Sequence, residues 1–160
     1  MVRSLRGGGR IAALAAVVLI VASACSKDST PAAPIYDVFA QQFKFHGMPE
    51  SIPSGNFQIN FSNKESFPIT HEMIPIALPA GKTAQDVIDA AKADGAASED
   101  DWLHIGGDFG AVDTGAGIVE ILNLPPGTYA FACWQTGTQS GTDDGPPHAA
   151  KGMVTSFTVS

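Results

Sequence analysis

The feature that most constrains the fold is a pair of alternating runs in the last quarter of the chain. Gly127-Thr128-Tyr129-Ala130-Phe131-Ala132-Cys133 opens the segment and Val154-Thr155-Ser156-Phe157-Thr158-Val159 closes it. Side chains of a strand point alternately to its two faces, so Tyr129, Phe131 and Cys133 share one face of a strand. Thr155, Phe157 and Val159 share a face of the next. Between the runs lie a polar loop, His148 and Gly152-Met153. Cys133 therefore stands where a strand ends and a loop begins.

The rest of the chain has the same character. Phe57-Gln58-Ile59-Asn60-Phe61 alternates cleanly and predicts a strand. Tyr36 to Phe45 reads as an earlier one, with Phe43 and Phe45 on one face. Gly47 to Gly55 reads as a loop and Asn63 to Pro68 as a turn. Ile69 to Leu78 resumes strand character, with Pro75 arguing for an edge or a bulge. The spacing then predicts a helix over 83–95: Thr83 can cap it, Val87, Ile88 and Ala91 share a face, and Gly95 closes it. Trp102 to Gly117 is glycine-rich and loop-like. Ile118 to Leu124 is a strand, and Pro125-Pro126-Gly127 turns the chain into the cysteine strand. Strands broken by one helix read as an all-β sandwich with a helical insertion around residues 83–95, not as a parallel βαβ fold.

The N-terminus reads as a targeting segment. Arg3, Arg6 and Arg10 precede an apolar run from Ile11 to Ala22, the length of a signal-peptide core rather than a membrane span. Ala22-Ser23-Ala24-Cys25 is a small-residue cleavage site and also resembles a bacterial lipobox. The expected organisation is a signal peptide over 1–24, a lipidated Cys25 with a polar tether to 34, and a domain over 35–160. The domain would then face the outside of the cell or the periplasm, held at the membrane by lipid. The chain carries 16 acidic against 9 basic residues. That balance disfavours nucleic acid and suits an exported domain or a cationic partner.

The chain has two cysteines, Cys25 and Cys133. If Cys25 carries lipid, Cys133 is an unpaired thiol outside the cytoplasm, an oxidation liability unless it is buried or metal-bound. A Cys25–Cys133 disulfide and plain core packing are the alternatives. Thiolate, imidazole and thioether are soft ligands that copper selects, and two histidines, one cysteine and a weak methionine form a blue-copper electron-transfer set. The candidates are Cys133, His148, Met153 and, upstream, His71. His46 and His104 read as surface residues, although His46-Gly47-Met48 with Met73 could add a second, weaker copper site. No nucleophile motif, phosphate loop or complete calcium loop stands out, so an enzyme is not expected.

The Gly-Thr-Tyr-x-Phe-x-Cys run, the His-x4-Met spacing and the Gly-Met-Val start of the last strand resemble the cupredoxin family, as does Asn63 to His71. The resemblance covers Phe57–His71 and Leu124–Val159. It implies a Greek-key β-sandwich with one type 1 copper at one end, ligated by His71, Cys133, His148 and Met153. The chain departs from the family in its long Cys133–His148 loop. The expected function is single-electron transfer with a redox partner protein. Storage of Cu(I) for a delivery partner, or a metal-free interaction module using the loop and the insertion, are the rival readings.

Overall fold

A computed structural model describes residues 32–106, 109–137 and 145–160. The expected signal peptide, Cys25 and the tether as far as residue 31 lie outside the described residues. Among these, ten strands follow one another: β1 (Ile35–Gln41), β2 (Lys44–His46), β3 (Ser51–Ile52), β4 (Gly55–Asn63), β5 (His71–Ala77), β6 (Leu103–His104), β7 (Phe109–Val112), β8 (Gly117–Leu124), β9 (Gly127–Ala132) and β10 (Val154–Val159). One α-helix, α1 (Ala84–Asp94), separates β5 from β6.

The strands form two sheets. One has the order β2-β1-β4-β8, the other β3-β10-β9-β5-β6, with β7 also paired to β5. The chain crosses from the first sheet to the second between β2 and β3, between β4 and β5, and again between β8 and β9. These crossings are set by alternation. On β4, Phe57, Ile59, Phe61 and Asn63 are buried while Gln58, Asn60 and Ser62 face outward. The facing sheet supplies Phe131 and Phe157, whose rings stack at 5.1 Å, and Phe109, which meets Phe61 and Phe131 edge-on. Each such aromatic pair adds about 0.5–1.5 kcal/mol beyond its burial. The core between the sheets includes Cys133 and Met153.

The expected insertion is present and has a structural role. Asp86 Oδ2 accepts the Thr83 N–H at 2.9 Å, fixing the first turn of α1. α1 buries Val87 in a second apolar cluster with Ile74, Ile76, Ala130, Ala132 and Trp134, on the outer face of the second sheet, and its Ala91 is buried too. Without the helix that face would meet water. A 3-10 turn, Gly95–Asp101, follows it directly.

Four local expectations differ from the structure. Tyr36 to Phe45 is not one strand: Gln42 and Phe43 adopt φ of 54° and 55° and reverse the chain into β2. Hairpin turns of this kind favour Asn or Gly, neither of which is present, so the sequence carries no sign of it. The Gly47–Gly55 loop contains β3, which pairs parallel to β10. The glycine-rich stretch holds β6 and β7. Of the edge or bulge expected at Pro75, the edge is not found, because β5 lies between β9 and the β6/β7 side. The irregularity in the β5–β7 ladder falls earlier, between His71 and Met73. The Pro75 carbonyl accepts Ile105 N–H on the β6/β7 side. Its missing N–H therefore falls in the gap between β7, paired at His71 and Met73, and β6, paired at Ile76 and Ala77.

Candidate metal centre

Cys133 extends β9 by one residue into the end of the sandwich. Its N–H donates to Met153 O at 3.2 Å and its carbonyl accepts Ala149 N–H at 2.7 Å. His148 follows Pro147 and opens a 3-10 turn, His148–Lys151. Its own N–H donates to Gln135 O at 2.9 Å. These bonds pinch the long loop shut at its base. Residues 15 positions apart in sequence thus place Cys133 Sγ 3.4 Å from His148 Nδ1. The length of the loop therefore does not keep the two side chains apart.

His71 comes from the other side. It is the first residue of β5, directly after a turn held by buried Asn63. The Asn63 Nδ2 donates to Ile69 O and Val112 O, both at 2.8 Å, and its Oδ1 accepts Glu65 N–H. His71 Nδ1 then lies 3.0 Å from His148 Nδ1 and 3.8 Å from Cys133 Sγ. All three residues are fully buried. Ligands around an ion with bonds of about 2.0–2.3 Å sit roughly 3.5–3.8 Å apart in a trigonal plane. The observed triangle is close to that size.

The outer nitrogens decide what the inner ones can do. His71 Nε2 meets Glu65 Oε1 at 3.1 Å, and His148 Nε2 meets the Gly137 carbonyl at 3.4 Å. Both oxygens only accept, so each neutral ring carries its proton on Nε2. Two Nδ1 lone pairs then face each other beside a sulfur in a site without water access. Lone pairs so arranged repel one another, and a cation among them turns the repulsion into ligation.

Protonation states agree. Burial, helped by the neighbouring His71, lowers the His148 pKa to about 4. Burial also lowers that of His71, against the opposing pull of Glu65. Both imidazoles are therefore neutral at pH 7, as ligands must be. Burial and then the Glu72 carboxylate push the Cys133 thiol far above its usual range. A thiol so placed ionises only when a cation takes the place of its proton. Glu72 N–H points at the sulfur, 3.4 Å away. The Glu72 carboxylate accepts Trp134 N–H at 2.7 Å and Gln135 Nε2 at 2.8 Å, tying the residues after Cys133 to the strand of His71.

Of the four expected ligands, three converge. Met153 is fully buried in the cluster that contains Cys133. The suspected second site does not assemble. His46 is exposed and stacks on Phe39, His104 stacks on Trp134, and Met73 is in the core. Neither histidine joins a donor cluster among the described residues. The sequence reading missed Glu65 and Phe43. Glu65 is kept ionised because hydrogen bonds from the Gln42 and Phe43 backbone and from His71 outweigh the cost of its burial. Phe43 meets the edges of both histidine rings, at 5.7 and 4.9 Å. Glu65 also accepts Phe43 N–H at 3.1 Å, which offsets the strain of its positive φ. Nothing in Asn63-Lys64-Glu65-Ser66 marks that role.

No protein-family model matches the chain, and no curated protein matches it in sequence. Solved structures do. Auracyanin B aligns with a TM-score of 0.54 and 20% identity over 80% of this chain and 89% of that one. Dithionite-reduced auracyanin from the photosynthetic bacterium Roseiflexus castenholzii aligns with 0.54 and 18% identity over 80% and 97%. An azurin from the methylotroph Methylomonas sp. strain J gives 0.52 and 14% identity over 81% and 99%. The two-sheet architecture of this chain is the fold of these cupredoxins, and its His71–Cys133–His148 cluster fits one type 1 copper.

Proposed function

We propose that this cupredoxin-fold chain holds one copper between His71, Cys133 and His148 and carries single electrons to and from a redox partner protein. The observation that supports this most is the buried approach of His71 Nδ1 and His148 Nδ1 to each other beside Cys133 Sγ. When bound, copper supplies a one-electron couple. The protein's part is to hold the three donors in place with Glu65, the Gly137 carbonyl and the pinched loop, and to exclude water. Full burial of the three ligands favours a carrier over a Cu(I) delivery protein, which must release its metal to a partner. Reversible one-electron voltammetry of the copper-loaded protein tests the reading. Copper that is bound but cannot be cycled would argue for storage instead.

Met153 would add a fourth, weaker donor to the copper in this reading, on the strength of its position beside Cys133 and the weakness of a thioether. Met153→Leu should retain copper and raise the reduction potential, because losing a weak donor disfavours Cu(II). An unchanged potential would make Met153 a packing residue only.

The domain is exported and anchored in this reading through lipid on Cys25. No helix among the described residues is long and apolar enough to cross a membrane. Lipid on Cys25 would need two acyl chains or more, since one gives marginal binding. Cys25→Ser should shift the protein from the membrane to the soluble fraction. Equal membrane retention of both forms would dismiss the anchor.

A further inference from the structure

The copper ligands themselves do not reach the surface, and the ring that covers both histidines is Phe43 at the tip of the β1–β2 hairpin. Around that hairpin the charge runs against the rest of the chain. Formal net charge is −7, and Asp86, Asp89, Asp94, Glu99, Asp100 and Asp101 all fall in the insertion or the 3-10 turn that follows it. The described lysines divide just as sharply. Lys82 and Lys92, on the insertion, pair with Asp86 and Asp89. Lys44, Lys64 and Lys151 have no ion pair among the described residues, and each is exposed at the hairpin. Lys44 lies within it, Lys64 Nζ sits 4.1 Å above the Phe39 ring, and Lys151 Nζ sits 4.3 Å above the ring of Phe43 itself. Exposed Phe67 extends the aromatic centre, 6.3 Å from Phe43. Among the described carboxylates near this region, Glu65 is buried against His71, while Asp37 and Asp113 are exposed and accept from Asn60 Nδ2 and Thr70 Oγ1.

We propose that the β1–β2 hairpin, with Phe43 and Phe67 at its centre and Lys44, Lys64 and Lys151 around them, is the docking surface for the acidic face of a protein redox partner. This rests on the carrier reading above. An apolar centre with a charged rim is the layout of a transient interface, in which the rim steers encounter and the centre makes contact. Three lysines on a small patch suit a compact acidic face. A wide anionic membrane would also confront the acidic insertion, so lipid fits less well. The electron would pass between the copper site and the partner by way of Phe43, with no bond or proton transferred. Net acidity suits an exported domain or a cationic partner; the distribution of charge around the hairpin points to an anionic one.

Hexacyanochromate(III), a paramagnetic trianion that does not react with the site, tests the surface without copper. In the metal-free protein it should broaden amide resonances around Gln42–Lys44, Lys64 and Lys151. The double variant Lys44→Glu/Lys151→Glu should abolish that pattern while the remaining spectrum shows an intact fold. Broadening centred elsewhere, or unchanged in the variant, overturns the proposal. With copper loaded, one electron passes from reduced copper to hexacyanoferrate(III). That rate should fall as salt rises, despite the negative net charge, and drop about tenfold in the double variant. A rate that rises with salt, governed by net charge, overturns it equally. Lysine-dependent co-sedimentation with phosphatidylglycerol vesicles would overturn the choice of a protein over lipid. Failure to load copper would defeat the carrier reading and leave the hexacyanochromate result to decide the surface.

Discussion

Exchanging Cys133 for serine is expected to abolish the intense visible absorption of the copper-loaded protein and to weaken copper binding severely. The thiolate is both the chromophore's donor and the soft ligand that selects copper. Loss of an outer partner of a ligand typically costs about 10–100-fold in metal affinity, so loss of Cys133 itself should cost more. Serine is near in size and Cys133 is fully buried, so the fold should persist. The controls follow from the geometry. His46→Ala and His104→Ala remove exposed rings outside the cluster and should leave the band unchanged. Competition with a copper chelator, read against visible absorption, measures the effect. A variant that keeps the band would remove Cys133 from the centre.

A large loss of stability should come from Glu65→Ala. This carboxylate is buried and accepts both Phe43 N–H and His71 Nε2–H. Its removal leaves a buried donor on His71 and a half-buried one on Phe43 without an acceptor, each costing about 1–3 kcal/mol when water cannot reach it. A total near 3 kcal/mol is expected, at the upper end of ordinary single substitutions. The hairpin tip loses the bond that holds Phe43 at positive φ, and His71 loses the partner that fixes its proton on Nε2. Copper affinity should fall by about 10–100-fold as well. Glu65→Gln retains one acceptor oxygen and should lose less on both counts. Denaturant unfolding of the metal-free protein and chelator competition read the two effects separately. A destabilisation below about 0.5 kcal/mol, the level of an ordinary surface change, would show that Glu65 is not an organising residue.

Much of this centre was legible in the chain. Alternation in Phe57–Phe61 and Tyr129–Cys133 reports directly which side chains enter the core, because a strand allows no other assignment of faces. The donor types at His71, Cys133 and His148 name the chemistry. What alternation cannot report is closure. The pinch at Gln135 and His148 is made by backbone atoms, which look alike in every residue, so loop length alone wrongly suggests distance. The hairpin at Gln42-Phe43 was hidden for a related reason. Its turn uses residues that do not favour positive φ, and it is held by Glu65 from 22 positions away. The carboxylate that orients His71 and the ring that covers it thus enter through tertiary contacts, which no local spacing encodes. The helix was readable because its cap and its apolar face are local; its role in covering the second sheet was not.

The X-ray absorption spectrum of copper-loaded protein at the copper edge tests the central claim most directly. The His71–Cys133–His148 centre should take up one copper per chain, with one short sulfur distance from Cys133 and two nitrogen distances from the imidazoles. Absence of uptake at micromolar copper, or a first shell of nitrogen and oxygen without sulfur, would contradict it.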